Sequence, residues 1–296
     1  MKCLLTIILF IFCATSVVMA DENVDSLDFY LQLADSAYEA DNIEEECNYH
    51  EYALSFYLNE HEDVSQDTIY AFLLEQYGDI CNRSKDYEAA IEALTEASQI
   101  YKSVFGESHP DYARSLSGLA TCYSNHGDYN EAIRLGTEAV EIRKNITGTN
   151  LVDYATCLSK LAWFYSNQED YSIAIQLDKE AIEIYQKAQD TDTPAYATSL
   201  NNLAWNYFCI CDYEEAIRLG TKAMEARQRI LGPKHRLTIE STHNLADYYF
   251  ALENYEKAIQ LRLETLNVIT KVMESDDSDY ISALEKLSIL YFFIGK

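Results

Sequence analysis

Apolar positions in this chain fall into one pattern that returns again and again. Leu116, Leu119 and Tyr123 stand at i, i+3 and i+7, one stripe of a helix, with Ala120 beside them. The stretch 124–128 breaks the stripe and carries Gly127. Asp128 then fits an N-cap, with Glu131 three residues later as a capping box. Tyr129, Ala132, Ile133, Ala139 and Ile142 predict a second helix. The whole pattern repeats every 42 residues: Tyr154…Leu158…Leu161-Ala162…Tyr165, Tyr196…Leu200…Leu203-Ala204…Tyr207, and more loosely Leu245-Ala246…Tyr249 and Leu287-Ser288…Tyr291. One step earlier stand Tyr77, Gly78 and Cys81. Tyr87, Tyr129, Tyr171, Tyr213 and Tyr255 keep the same step, each followed three and four residues later by Ala-Ile.

A fixed period in the 20–50 range is the signature of stacked repeats rather than of an enzyme core. The N-cap slot is filled by Asp86, Asp170, Asp212 and Asn254 in other copies, and Asp212 with Glu215 repeats the capping box. Gly106, Gly148 and Gly232 are spaced for left-handed C-terminal caps, and Pro110 and Pro194 stand where a first helix begins. Each unit is therefore expected to be a helix–turn–helix hairpin. One hairpin cannot bury both faces, so hairpins must stack, with Ala120, Ala162, Ala204 and Ala246 at close helix contacts.

These residues resemble the tetratricopeptide repeat. The run Leu200-Asn201-Asn202-Leu203-Ala204-x-x-Tyr207, followed by Asp212-Tyr213-x-x-Ala216-Ile217, carries the likeness. The 42-residue period and the connectors Phe105-Gly-Glu-Ser-His-Pro-Asp-Tyr112 and Leu231-Gly-Pro-Lys-His235 resemble the kinesin-light-chain subtype. Cys211 and Glu169 depart from it, standing where the repeat often has a turn glycine. The resemblance implies an all-α, right-handed α-solenoid of stacked helix–turn–helix hairpins. The expected organisation is a signal peptide at 1–20, a divergent capping hairpin at 21–65 and an array at 66–296. Its units fall near 66–107, 108–149, 150–191, 192–233 and 234–275, with a partial unit at 276–296.

Composition narrows the function. Apolar residues make up 48% of the 296-residue chain, and only 3 Pro and 9 Gly are present, consistent with a mostly helical protein. A formal charge of −27 disfavours nucleic acid and anionic membranes. It fits either a solvated convex face or a basic partner. Lys2, the apolar run 4–12 and Val18-Met19-Ala20 have the form of a signal peptide cleaved near Ala20, so export to a secreted or periplasmic location is expected. No other segment is apolar enough for a span of roughly 20 residues. Cys209 and Cys211 point to different helix faces and Cys81 fills an aromatic core slot, so free, mostly buried thiols are expected. Asn82-Arg-Ser84 and Asn145-Ile-Thr147 match the glycosylation sequon.

No phosphate-binding loop, nucleophile elbow or zincin motif occurs, and the 6 His form no metal-spaced cluster with Cys. No catalytic residue, metal or cofactor is expected. The resemblance implies instead a concave groove lined by first helices. Carried over, its lining would be Ser159, Lys160, Trp163, Asn201, Asn202, Trp205, Phe208, His243, Asn244 and Asp247. Side-chain amides would hold an extended backbone and the aromatics would supply apolar pockets. Packing within the helix stack is the competing account of the two tryptophans. The expected function is a scaffold binding a peptide or protein segment. The alternative is the extracytoplasmic sensory region of a longer membrane-bound regulator, because the chain stops at Lys296 inside what should be a hairpin. The sequence sets neither the partner's identity nor the oligomeric state.

Overall fold

A computed structural model describes residues 27–146, 151–270 and 278–293. The segment expected to be a signal peptide, together with Gly148 and Thr147, lies outside the described residues.

The described chain folds as helices in two compact units, divided after Gly106. The first holds α1 (Leu27–Glu39), α2 (Ile43–Glu60), α3 (Thr68–Arg83) and α4 (Tyr87–Phe105). The second holds α5 (Pro110–His126), α6 (Tyr129–Asn145), α7 (Leu151–Asn167), α8 (Tyr171–Lys187), α9 (Pro194–Cys209), α10 (Tyr213–Leu231), α11 (Arg236–Ala251), α12 (Tyr255–Ile269) and α13 (Ser278–Phe293). No strand occurs among the described residues. Consecutive helices pair as antiparallel hairpins, and each hairpin packs on the next within its unit. In the second unit the first helices α5, α7, α9 and α11 also touch in succession, whereas the second helices have no comparable contact. First helices therefore line the inner side of this stack.

The hairpin turn is built by hydrogen bonds that recur with the repeat. The Asp128 N–H donates to the Tyr123 carbonyl (2.9 Å) across a left-handed Gly127 (φ 97°), a Schellman closure. The same bond runs from Asp86 to Cys81, Asp170 to Tyr165, Asp212 to Tyr207 and Asn254 to Tyr249. Geometry, not residue type, is repeated here: Lys85, Glu169, Cys211 and Glu253 adopt the left-handed conformation at the Gly127 position, with φ between 61° and 69°. Each non-glycine residue there costs about 1–2 kcal/mol.

Asp128 Oδ1 then accepts from the Glu131 N–H (3.1 Å), and Asp86, Asp212 and Asn254 cap equivalently. Two expectations are corrected. The capping boxes do not close, because the cap residue's own N–H is already spent in the Schellman bond. Glu131 turns to Arg134 (2.6 Å) and Glu215 to Arg218 instead. Asp170 occupies the cap position without a side-chain bond. Gly106 and Gly232 also depart from a left-handed cap: their φ of 85° and 88° come with ψ of 170° and 164°, a region open essentially to glycine alone. Pro110 and Pro194 open α5 and α9 as expected.

Within each unit the core is built of small residues flanked by larger apolar ones. Ala120, Ala162, Ala204 and Ala246 are at most 1% exposed, as are Ala90, Ala132, Ala174, Ala216 and Ala258 on the second helices. Leu116, Leu119, Leu158, Leu161, Leu200, Leu203 and Leu245 fill the space beside them. Burying each leucine contributes about 1.5–3 kcal/mol. The six described cysteines are free thiols. Only Cys81, Cys122 and Cys157 are buried; Cys211 is exposed, because it sits at the left-handed turn rather than on a helix face.

Candidate functional site

The ten residues expected to line a groove separate into three groups. The first faces solvent on the first helices. Lys160 is exposed on α7, and Trp163 is half-buried one turn further, against Phe164 (5.6 Å between ring centroids). On α9, Trp205 is 41% exposed and Asn202 is half-buried; Asn244 holds the position equivalent to Asn202 on α11. Among the described residues the Asn202 and Asn244 amides have no hydrogen-bond partner.

The second group is buried between neighbouring hairpins, a correction to its expected place in the groove. Ser159 and Asn201 are 7% and 6% exposed. Ser199 Oγ donates to Ser159 Oγ (2.8 Å), and Ser241 Oγ donates to Asn201 Oδ1 (3.1 Å). Both bonds join first helices one repeat apart. The residue two before the leucine therefore points at the next hairpin, not at the groove. Phe208 is drawn in as well. It is half-buried, 5.0 Å from Tyr248 and 5.7 Å from Tyr213, while still 5.5 Å from Trp205.

The third group is an ionic cluster on α11, α12 and α13. Asp247 is paired with Arg262 and lies 3.8 Å from Lys286, so its carboxylate is already neutralised. His243 is half-buried with a buried, unpartnered Nε2. Burial, then the charges of Arg262 and Lys286, push its pKa down to about 4, leaving the ring neutral near pH 7.

Sequence reasoning missed the side chains that decide how hairpins fit. Asp178 on α8 is fully buried. Its carboxyl accepts from Ser159 Oγ (3.1 Å) and from Asn206 Nδ2 (3.1 Å). Burial pushes its pKa well above the usual carboxylate range, against the pull of those two hydrogen bonds. Position 178 is equivalent to Gly136 and Gly220, and position 206 to Phe164 and Tyr248. A Cβ on Gly136 would come 2.9 Å from the Phe164 ring, and one on Gly220 2.9 Å from Tyr248. Successive junctions thus alternate glycine against aromatic, carboxyl against amide, glycine against aromatic. Arg227 and Arg143 are a further buried set. Arg227 donates to the Leu237 carbonyl and to Ser241 (both 2.8 Å), and Arg143 to the Pro110 carbonyl and to Asp153 (both 3.0 Å). The available signal was the set of columns whose residue type changes from copy to copy.

Among the described residues no group of His, Cys, Asp and Glu is arranged to hold a metal ion. No described helix is long and apolar enough to cross a membrane. What the first-helix face offers is exposed indole, free amide and a few cations, a set suited to recognition.

A family model described as tetratricopeptide repeat matches residues 69–145, 127–187, 153–229 and 210–267. The RxLR effector protein SFI4 of Phytophthora infestans (strain T30-4) is 40% identical over 62 residues, covering 21% of this chain and 18% of that protein. The secreted RxLR effector protein RXLR-C07 of Plasmopara halstedii is 39% identical over 61 residues, 20% of this chain and 19% of that protein. The chain thus matches about a fifth of the length of these curated relatives. Among solved structures, the putative kinesin light chain repeats of Podosopora anserina align with a TM-score of 0.58 at 20% identity, over 71% of this chain and 98% of that one. A Rap protein complexed with competence and sporulation factor aligns with a TM-score of 0.64 at 12% identity, over 94% of this chain and 78% of that one. At such identities the likeness is one of fold.

Proposed function

Because this chain belongs to the tetratricopeptide repeat family, we propose that it is a non-enzymatic scaffold whose first-helix face binds a peptide or protein segment. One observation carries the reading: Trp205 stands 41% exposed on α9, with the free Asn202 amide on the same helix face and Trp163 at the equivalent place on α7. An exposed indole beside unpartnered amides is stable in water only at some cost in apolar hydration, and burying it against a partner recovers that. The amides can hydrogen-bond an extended backbone without demanding a sequence. Lys160, Trp163, Asn202, Trp205 and Asn244 form the working set. Ser159, Asn201 and Phe208 support it from within the stack. The Rap neighbour, solved with a bound factor, is consistent with a binding role for such a stack.

The net charge of −27 speeds capture of a basic segment, with an on-rate that falls as salt rises. Export is part of the proposal. It rests on the character of residues 1–20 and on relatives whose names mark them as effectors, one of them as secreted.

The chain has two tryptophans, and both belong to the working set, so intrinsic fluorescence is a direct reporter. Peptides selected on the purified protein from a random display library are titrated while emission is followed. Saturable emission changes that Trp205→Ala and Asn202→Ala weaken support the groove. Selected peptides that leave the emission and the variants' affinities unaltered place binding elsewhere.

A further inference from the structure

Cys47 and Cys81 belong to consecutive hairpins of the first unit, on α2 and α3, and their thiols are interacting neighbours. Two further contacts hold these helices in register at that level. Arg83 pairs with Glu46, the residue before Cys47. Tyr77, one turn before Cys81, donates its hydroxyl to Glu51 (2.8 Å), one turn after Cys47. The sulfurs are thus bracketed by an ion pair and a hydrogen bond between the same helices. The repeat adds a second point. Positions equivalent to Cys81 are Tyr123, Tyr165, Tyr207 and Tyr249, so the thiol replaces an aromatic only where a second cysteine faces it.

We propose that Cys47 and Cys81 are a redox-active pair that forms an intramolecular disulfide, stapling the first hairpin to the second.

The chemistry is thiol–disulfide exchange with a small disulfide. The Cys47 thiolate attacks one sulfur of the small disulfide, forming a mixed disulfide and releasing one small thiolate. Cys81 loses its proton and attacks Cys47 Sγ, forming the protein disulfide and releasing the second small thiolate. Two protein thiols are oxidised, one small disulfide is reduced to two thiols, and each released thiolate takes up one of the two protons. The order follows from the environments. Cys47 is half-buried and reachable, and the hydrogen bond from Cys81 holds its thiol below the usual range, against burial and the charges of Glu51, Asp86 and Glu46. Cys81 is 1% exposed, and its bond to Cys47 together with burial pushes its thiol up. Because a small disulfide can reach half-buried Cys47 and not the buried Cys81, the attacking thiolate is on Cys47. The carboxylates around it favour a neutral oxidant over an anionic one.

The test equilibrates folded wild-type protein with bis(2-hydroxyethyl) disulfide and its thiol over a range of ratios. Remaining thiols are then alkylated under denaturing conditions, and peptides are mapped by mass. The expected result is one linked peptide pair containing Cys47 and Cys81, formed at lower oxidant ratio than any other cysteine modification. Cys47→Ser should abolish it while circular dichroism stays unaltered. In the oxidised wild type, protease cleavage within residues 27–60 should slow relative to the reduced protein. The proposal is overturned by full alkylation of both cysteines under oxidising conditions. It is equally overturned by a mixed disulfide on Cys47 that never resolves, by a bridge between two chains, or by loss of the Cys81 thiol in folded Cys47→Ser. Cys81→Ala serves as a second control wherever its helicity matches wild type.

Discussion

Asn206 on α9 donates a hydrogen bond to the fully buried carboxyl of Asp178 on α8 at 3.1 Å. This pair occupies the place that the neighbouring junctions fill with Gly136 against Phe164 and Gly220 against Tyr248. The three junctions satisfy one packing requirement in two chemical ways, by volume or by polarity. A hairpin carrying glycine there leaves room for a ring, and one carrying a carboxyl requires a donor.

The pairing predicts non-additive mutants. Asn206→Phe drives a ring into Asp178 and leaves the carboxyl without its amide, and should cost about 1–3 kcal/mol from overpacking and at least as much from the lost bond. Adding Asp178→Gly rebuilds the junction seen at Gly136 and Phe164 and should restore a large part of the loss. Urea denaturation of both singles and the double measures the coupling. Strict additivity would show that the two positions do not read each other.

Gly220→Ala should destabilise by about 1–3 kcal/mol, since the new Cβ meets the Tyr248 ring edge at 2.9 Å and that ring is fully buried. Gly127→Ala should also destabilise, but through backbone strain at φ 97° and with no steric neighbour. Pairing Gly220→Ala with Tyr248→Leu separates the two causes, because the smaller side chain relieves only the steric one.

Asp178 makes stability depend on pH in an unusual sense. Its folded pKa is raised, so its contribution is fully present below the unfolded value near 4 and declines as pH rises through the folded value. His243, pushed down to about 4, acts oppositely: its contribution is full above about 6.5 and falls as pH drops towards 4. Asp178→Asn should therefore gain on wild type as pH rises from about 4 to 8. Denaturation midpoints of both proteins along that range test it, and parallel curves would refute it.

Cys211→Gly should stabilise the hairpin of α9 and α10 by about 1 kcal/mol, because a side chain at φ 64° is relieved while the Schellman bond from Asp212 to Tyr207 is retained. Thermal melting under reducing conditions reads the gain. A lower melting temperature would mean that the exposed thiol makes contacts worth more than the strain.

Trp205→Ala should weaken a groove-bound segment by about 2 kcal/mol with helicity unaltered. Isothermal titration with a selected peptide checks it. A comparable loss for Asn201→Ala, accompanied by a lower melting temperature, would mark damage to the ladder under the site rather than loss of contact.

Much of the fold was legible in the sequence because the period carries it. Leu116, Leu119 and Ala120 recur so regularly that helix type, hairpin pairing and the buried alanines follow from sterics and periodicity. The small–large alternation and Asp at the cap are local rules, decided within about one turn of helix. By itself the sequence therefore determined the elements, their order and which stripe of each is buried.

Only the tertiary structure decided which polar residues work inside and which outside. Ser159 and Lys160 are adjacent in sequence, as are Asn201 and Asn202, yet one of each pair is buried between hairpins and the other faces out. One helical step of about 100° separates those fates, and the angle at which the next hairpin arrives sets where the boundary falls. That angle depends on residues far apart in the chain, such as Asp178 with Asn206 and Gly220 with Tyr248. The turn likewise hides its requirement: the closure between positions 123 and 128 and their equivalents is kept by the hydrogen bonds of the fold, even where Glu169 and Cys211 must strain to complete it. Local propensity cannot report such strain, because packing elsewhere in the hairpin compensates for it.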